Sequence, residues 1–172
     1  KKHMEKEFLQ IFEDILGSVR EPLVVLNVDL RVIKANEAFY SIFDVNPDET
    51  EGTIIYELGN HQWDIPRLRE LLESILPRNT VFKDFEVEHT FDNIGFKIMH
   101  LNARRIYNKE NETRLILLSI EDVTEREYYK RHLEEAVGKR TAELQAAQEK
   151  AEGNKQAAEA ALVQVQLLKD QL

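Results

Sequence analysis

Five histidines, one tryptophan and no cysteine set the chemistry that this sequence can offer. Without cysteine there is no disulfide, thiolate metal site, iron–sulfur cluster, c-type haem attachment, cysteine nucleophile or thiol photoadduct. No zinc-type spacing, nucleophile–base pair or glycine-rich phosphate loop is present either. Of the histidines, His61 stands two residues before the single tryptophan, Trp63. An imidazole can ligate a metal or carry a proton near neutral pH, and an indole can line the plane of a ring-bearing ligand. The ordinary roles of the same pair are a loop histidine and a core plug. His89 and His100 fall on expected strands, paired or exposed, and His3 belongs to the His3-Met4 pair, which reads as a cloning scar. A different kind of signal is Asp122-Val123-Thr124. Both oxygen-bearing residues can bond nearby backbone amides, which suits a change from strand to helix.

These residues need elements to position them. Phe8, Ile11, Phe12, Ile15 and Val19 recur at helical spacing, so residues 5–19 are expected to form an amphipathic helix that ends before Pro22. Leu23–Val28 and Leu30–Ala35 read as strands joined by Asn27-Val28-Asp29. Asn36 should cap a short helix over 37–43, and Pro47-Asp48-Glu49 opens another helical turn. Gly59 and Asn60 break an irregular stretch. Asp64 is then expected to cap a stronger helix with Pro66 in its first turn and Leu68, Leu71, Leu72, Ile75 and Leu76 as its stripe, stopped by Pro77. Val81–Thr90, Gly95–Ile106 and Arg114–Val123 follow as strands, with turns at Asp92-Asn93 and over 108–111. By alternation Met99, Leu101 and Ala103 face the core, which points Asn102 and Arg104 away, toward an interface. The fold class is α+β: a five-stranded antiparallel sheet with short helices on one face.

Composition splits the chain near residue 130. Residues 131–172 hold no proline or aromatic, with six basic and seven acidic residues, so −8 of the net charge of −9 sits in the front part. Such acidity argues against direct nucleic-acid binding, and no apolar run reaches the ~20 residues of a membrane span. Steps of four and three residues from the front of the tail give Leu133, Val137, Arg140, Leu144, Ala147, Ala151, Asn154, Ala158, Ala161, Val165, Leu168 and Leu172. Ten of these twelve are apolar, which predicts a two-stranded coiled coil. Arg140, Asn154, the alanines, Gly138 and Gly153 weaken it, and Lys150 and Lys155 repel across a parallel dimer.

Element order and three short stretches resemble the PAS family over about residues 18–128. Glu21–Leu26 is similar to its first strand, and Val32–Phe39 to its strand-to-helix junction. Asp122-Val123-Thr124-Glu125-Arg126 resembles the motif that ends its last strand and begins the output helix. The resemblance implies a sensor module. Residues 1–20 would form an N-terminal helix, 21–125 the PAS domain and 126–172 a signalling helix. Asp122, Thr124 and Arg126 would relay the signal. No cofactor is the first expectation; the alternative is haem at His61, as in haem-binding members that use a histidine near this helix, or a flavin beside Trp63.

The expected partners are a second copy in a parallel homodimer and an output domain in the same protein, in the cytoplasm. Lys139–Leu144 is similar to linkers that follow PAS domains in sensor kinases. Val165–Leu172 is similar to the linker before the ATPase of sigma-N-dependent activators. His132 is followed by Leu133-Glu134-Glu135-Ala136 and lacks the surroundings of a phosphoacceptor histidine, so the chain is not expected to be an enzyme. A ligand-free assembly platform is the remaining reading.

Overall fold

The computed structural model of the chain describes residues 2–109 and 113–172. The β-branched run ahead of Asn27 forms β1 (Leu23–Leu26), which pairs antiparallel with β2 (Val32–Ala35). Between them Asn27 Oδ1 accepts from the amides of Asp29 and Arg31, each at 3.0 Å. This turn places Leu30 in the left-handed region, at φ 62°. The second strand therefore starts at Val32 and not at Leu30, because the turn consumes the residues before it.

Asn36 follows β2 and is buried. Its Oδ1 accepts from Phe39 N (3.1 Å), capping α2 (Glu37–Phe43), and from Leu23 N (2.8 Å) on β1. Its Nδ2 donates to the carbonyls of Val19 (3.2 Å) and Glu21 (2.8 Å). One side chain thus joins the start of β1, the incoming segment and the helix. A short α3 (Pro47–Thr50) and α4 (Leu58–His61) follow.

The strong helix expected from Asp64 is real but is not uniformly wound. It begins as α5 (Pro66–Arg69), widens into a π-helix over Glu70–Ile75 and tightens into a 3₁₀ turn over Leu76–Arg78. Ile65 occupies the cap position, and the Asp64 carboxylate instead pairs with Arg69 at 2.6 Å. Pro77 lies inside the last turn rather than stopping the helix before it. The orphan carbonyls there are met from outside the backbone ladder: Asn79 Nδ2 donates to Ile75 O, and Arg105 Nη1 donates to Pro77 O, both at 2.8 Å.

Three long strands complete the sheet: β3 (Val81–Phe91), β4 (Gly95–Asn108) and β5 (Thr113–Asp122). The order is β2-β1-β5-β4-β3, antiparallel throughout. Part of the turn expected over 108–111 lies outside the described residues. Met99, Leu101 and Ala103 face the core as alternation requires, together with Val24, Leu26, Phe85, Leu118 and Ile120. Leu68, Leu71, Leu72 and Leu76 close that core from the helical side. Asn102 turns outward, where its Oδ1 accepts from Asp84 N (2.9 Å) and steadies an irregularity in β3.

The N-terminal helix α1 (Lys2–Ser18) uses a different flank from the one its pattern suggested. Leu16 is buried, with Phe12 and Val19 half-buried, while Ile11 and Ile15 remain exposed. The apolar stripe is wider than the strip that the domain covers. The side chain of Phe8 lies outside the described set.

The chain resolves into two units that meet at Thr124 and Glu125. The second is one continuous helix, the body of α6 (Thr124–Asp170), with no buried side chain. Leu133 is 58% exposed, Leu144 54% and Leu168 60%. Val137, Val165 and Leu172 are exposed too. Among the described residues no helix is long and apolar enough to cross a membrane.

Candidate functional site

The end of β5 is where the sheet turns into α6, and the oxygens of Asp122 and Thr124 are both used there. Asp122 Oδ1 accepts from the Thr124 amide (3.0 Å) and from the Thr124 hydroxyl. Asp122 Oδ2 receives Lys97 Nζ at 2.9 Å. The Ile98 amide donates to Thr124 Oγ1 (2.9 Å), and the Val123 amide donates to Ile98 O (2.9 Å). The first residue of α6 is therefore bound to the neighbouring strand through both backbone and side chain. Burial pushes the Asp122 carboxyl up, but the Thr124 bonds and the Lys97 ammonium outweigh it and hold the group below the usual carboxylate range. The charged, multiply bonded aspartate ties Lys97 and Ile98 of β4 to the first residue of α6. Arg126, two residues further, is exposed and belongs to the helical unit.

His61 and Trp63 lie close in sequence but in opposite environments. Gly59, Asn60 and His61 are all left-handed, at φ 59°, 56° and 65°, a sharp reversal that leaves His61 exposed. Gln62 fastens the reversal. Its Nε2 donates to Gly59 O (2.8 Å), and its Oε1 accepts from the Asp92 amide on the β3–β4 turn. Trp63 is 1% exposed and is surrounded by Phe43 (4.9 Å between ring centres), Phe91 (5.2 Å) and Phe39 (5.5 Å). A flavin or haem beside Trp63 would have to open this aromatic packing. Among the described residues no group of three or more metal-capable side chains converges.

The remaining expected positions are separate from both places. His100 lies 3.4 Å from Glu86 on the neighbouring strand, and His89 packs edge-on against Phe91. His132 meets the Tyr128 ring edge-on within α6. The residues that sequence reasoning missed are Lys97 and Gln62, whose partners lie 25 and 30 positions away. Lys97 lies near the start of β4, the end that faces the close of β5, and only the antiparallel register of the two strands brings it to Asp122.

The sequence profile of the PAS fold matches residues 16–128, with the sheet and the Asp122–Thr124 junction inside it. The chain belongs to the PAS family. PAS domains are sensory, generally non-catalytic modules that sit in multidomain proteins. The PAS domain from Bordetella pertussis BvgS is similar in structure, with a TM-score of 0.56 and 21% identity, covering 77% of this chain and 98% of that one. So is the PAS domain of nitrogen regulation protein NR(II) from Vibrio parahaemolyticus, with a TM-score of 0.52 and 16% identity, covering 64% and 95%. An RNA-binding light-oxygen-voltage receptor gives a TM-score of 0.61 and 17% identity, covering 75% of this chain but 36% of that one. At these identities the likeness concerns the PAS fold alone. No curated protein matches the sequence.

Proposed function

We propose that the chain is a cytoplasmic PAS sensor and dimerisation module whose α6 forms a parallel two-stranded coiled coil and relays the signal to an output domain. That output is a transcription-regulating ATPase or a histidine kinase. The observation that carries the reading is the exposed seam of α6: apolar side chains held at four- and three-residue steps for more than five heptads, none covered by the chain itself. Asp122 and Thr124 support the relay, because they couple the last strand and β4 to the first turn of the helix. Arg140 and Asn154 keep the coil marginal, so a small displacement at the junction can change its packing.

Sedimentation of the purified chain tests this reading. A dimer whose dissociation follows the loss of helicity is expected. A monomer at tens of micromolar would remove the relay. Haem at His61 or flavin at Trp63 remains the alternative, and visible absorbance of the purified protein decides it. A ligand-free platform predicts that no small molecule changes the coil.

A further inference from the structure

A groove of about 850 Å³ opens at the end of the sheet where β4 finishes and β5 begins. Its size falls within the roughly 300–1,000 Å³ of small-molecule sites. It is separate from the Trp63 cluster, none of whose four rings lines it. Leu72 and Leu76 form one apolar wall, and Leu115 and Ile116 another. The helical wall is the part of the segment that is not α-wound, Leu72 in the π-helix and Leu76 in the 3₁₀ turn. π-insertions of this kind recur at functional sites.

Two guanidinium groups, Arg105 and Arg114, also line the groove. Arg105 Nη1 is held by the carbonyls of Pro77 (2.8 Å) and Leu76 (3.4 Å), which fixes the group without neutralising it. A guanidinium has five N–H donors, so Nε and Nη2 remain for an incoming acceptor. Arg114 lies over the Tyr107 ring at 5.4 Å, which orients it without neutralising it either. Among the described residues no carboxylate stands within ion-pair distance of Arg105 or Arg114. Glu73 lines the groove but is engaged by Tyr56 Oη (3.2 Å) and Arg69 (3.5 Å). Asp29 lines it as well, and its charge opposes a second negative group on a ligand.

We propose that this groove binds a monoanionic aliphatic carboxylic acid, its carboxylate at Arg114 and Arg105 and its chain against Leu72, Leu76, Leu115 and Ile116. The inference rests on the sensory reading and supplies the class of its ligand. Bidentate guanidinium contacts give the carboxylate both orientation and affinity.

Sodium decanoate, titrated into the full chain below its micelle concentration, tests the proposal by calorimetry and by amide shifts in a nitrogen-labelled sample. One saturable site per chain is expected, with the largest shifts at Leu72, Leu76 and Ile116. Arg114→Gln should weaken binding about ten-fold or more at an unchanged melting temperature, Arg114→Lys should weaken it less, and decanol should bind correspondingly worse than decanoate. No saturable binding would overturn the proposal, as would shifts confined to the Trp63 neighbours or to residues 133–172. Equal binding of decanol and decanoate would do the same. A monomeric chain that binds decanoate would sink the coil while leaving this site standing; a dimer that binds none would do the reverse.

Discussion

The two units of this chain dispose of their apolar residues in opposite ways. In the PAS domain Trp63, Phe39, Phe43 and Phe91 close on one another and on the sheet, so the hydrophobic effect is satisfied within one molecule. In α6 the leucines and valines stay in contact with water. A long isolated helix with alanines and two glycines gains little from propensity alone. The domain is thus specified from within, whereas the helix is specified by whatever covers its seam. Under the relay proposed above, the part that responds is the part left incompletely stabilised.

The comparison can be broken first at the core. Trp63→Ala should cost about 3–5 kcal/mol through the cavity it leaves, read as a lowered denaturant midpoint of the domain. The helicity of residues 125–172 should persist to the extent that the coil forms independently. A smaller loss across the whole chain would mean that the two units fold as one. Leu144→Asp attacks the other side. It should weaken the dimer by about 3 kcal/mol or more, since each copy loses a buried leucine, and leave the domain midpoint unchanged. An unaltered sedimentation coefficient would show that the seam is not the contact.

The junction should respond less. Thr124→Val keeps the shape but leaves the Ile98 amide without its acceptor, a loss of about 1–3 kcal/mol. Faster amide exchange at Ile98 and in the first turn of α6 is the local sign; unchanged exchange would remove Thr124 from the relay. Acid gives the smallest effect. The Asp122 carboxyl has a folded pKa below its unfolded value of about 3.9, so its contribution is complete at neutral pH and is lost as pH falls through the folded value. The group is partly exposed, so solvent screening keeps this below about 1 kcal/mol. The midpoints of the protein and of Asp122→Asn should accordingly converge below about pH 4 and separate above pH 5. Midpoints that stay parallel would mean that the charge contributes nothing.

What could be read in advance was local. The five strands, the Asn36 cap and the Asp122-Val123-Thr124 ending announce themselves because β-branched runs, turn residues and caps act over a few positions. Leu30 misled because an apolar residue next to a strand looks like part of it, while the bonds of Asn27 bend the chain there. The face of α1 misled because a wide stripe does not say which edge is covered. Lys97, Gln62 and the Arg105–Arg114 groove were invisible, since each depends on pairings far apart in the chain. The π-winding of Glu70–Ile75 has no sequence signal of its own, because the same leucine spacing suits an ordinary helix.

The fourfold bonding of Asn36 bears on how the protein ages. Deamidation keeps the size of the side chain but turns two donors into an acceptor aimed at the carbonyls of Val19 and Glu21. No packing atom would be lost, yet the strand start and the segment leading out of α1 would be pushed apart by lone pairs. Stored protein that has gained an acid at this position should show faster amide exchange at Leu23 and Phe39 before any change in its overall spectrum. Buried and bonded on all sides, the Asn36 amide is itself shielded from this change, which should reach exposed asparagines such as Asn60 and Asn154 first.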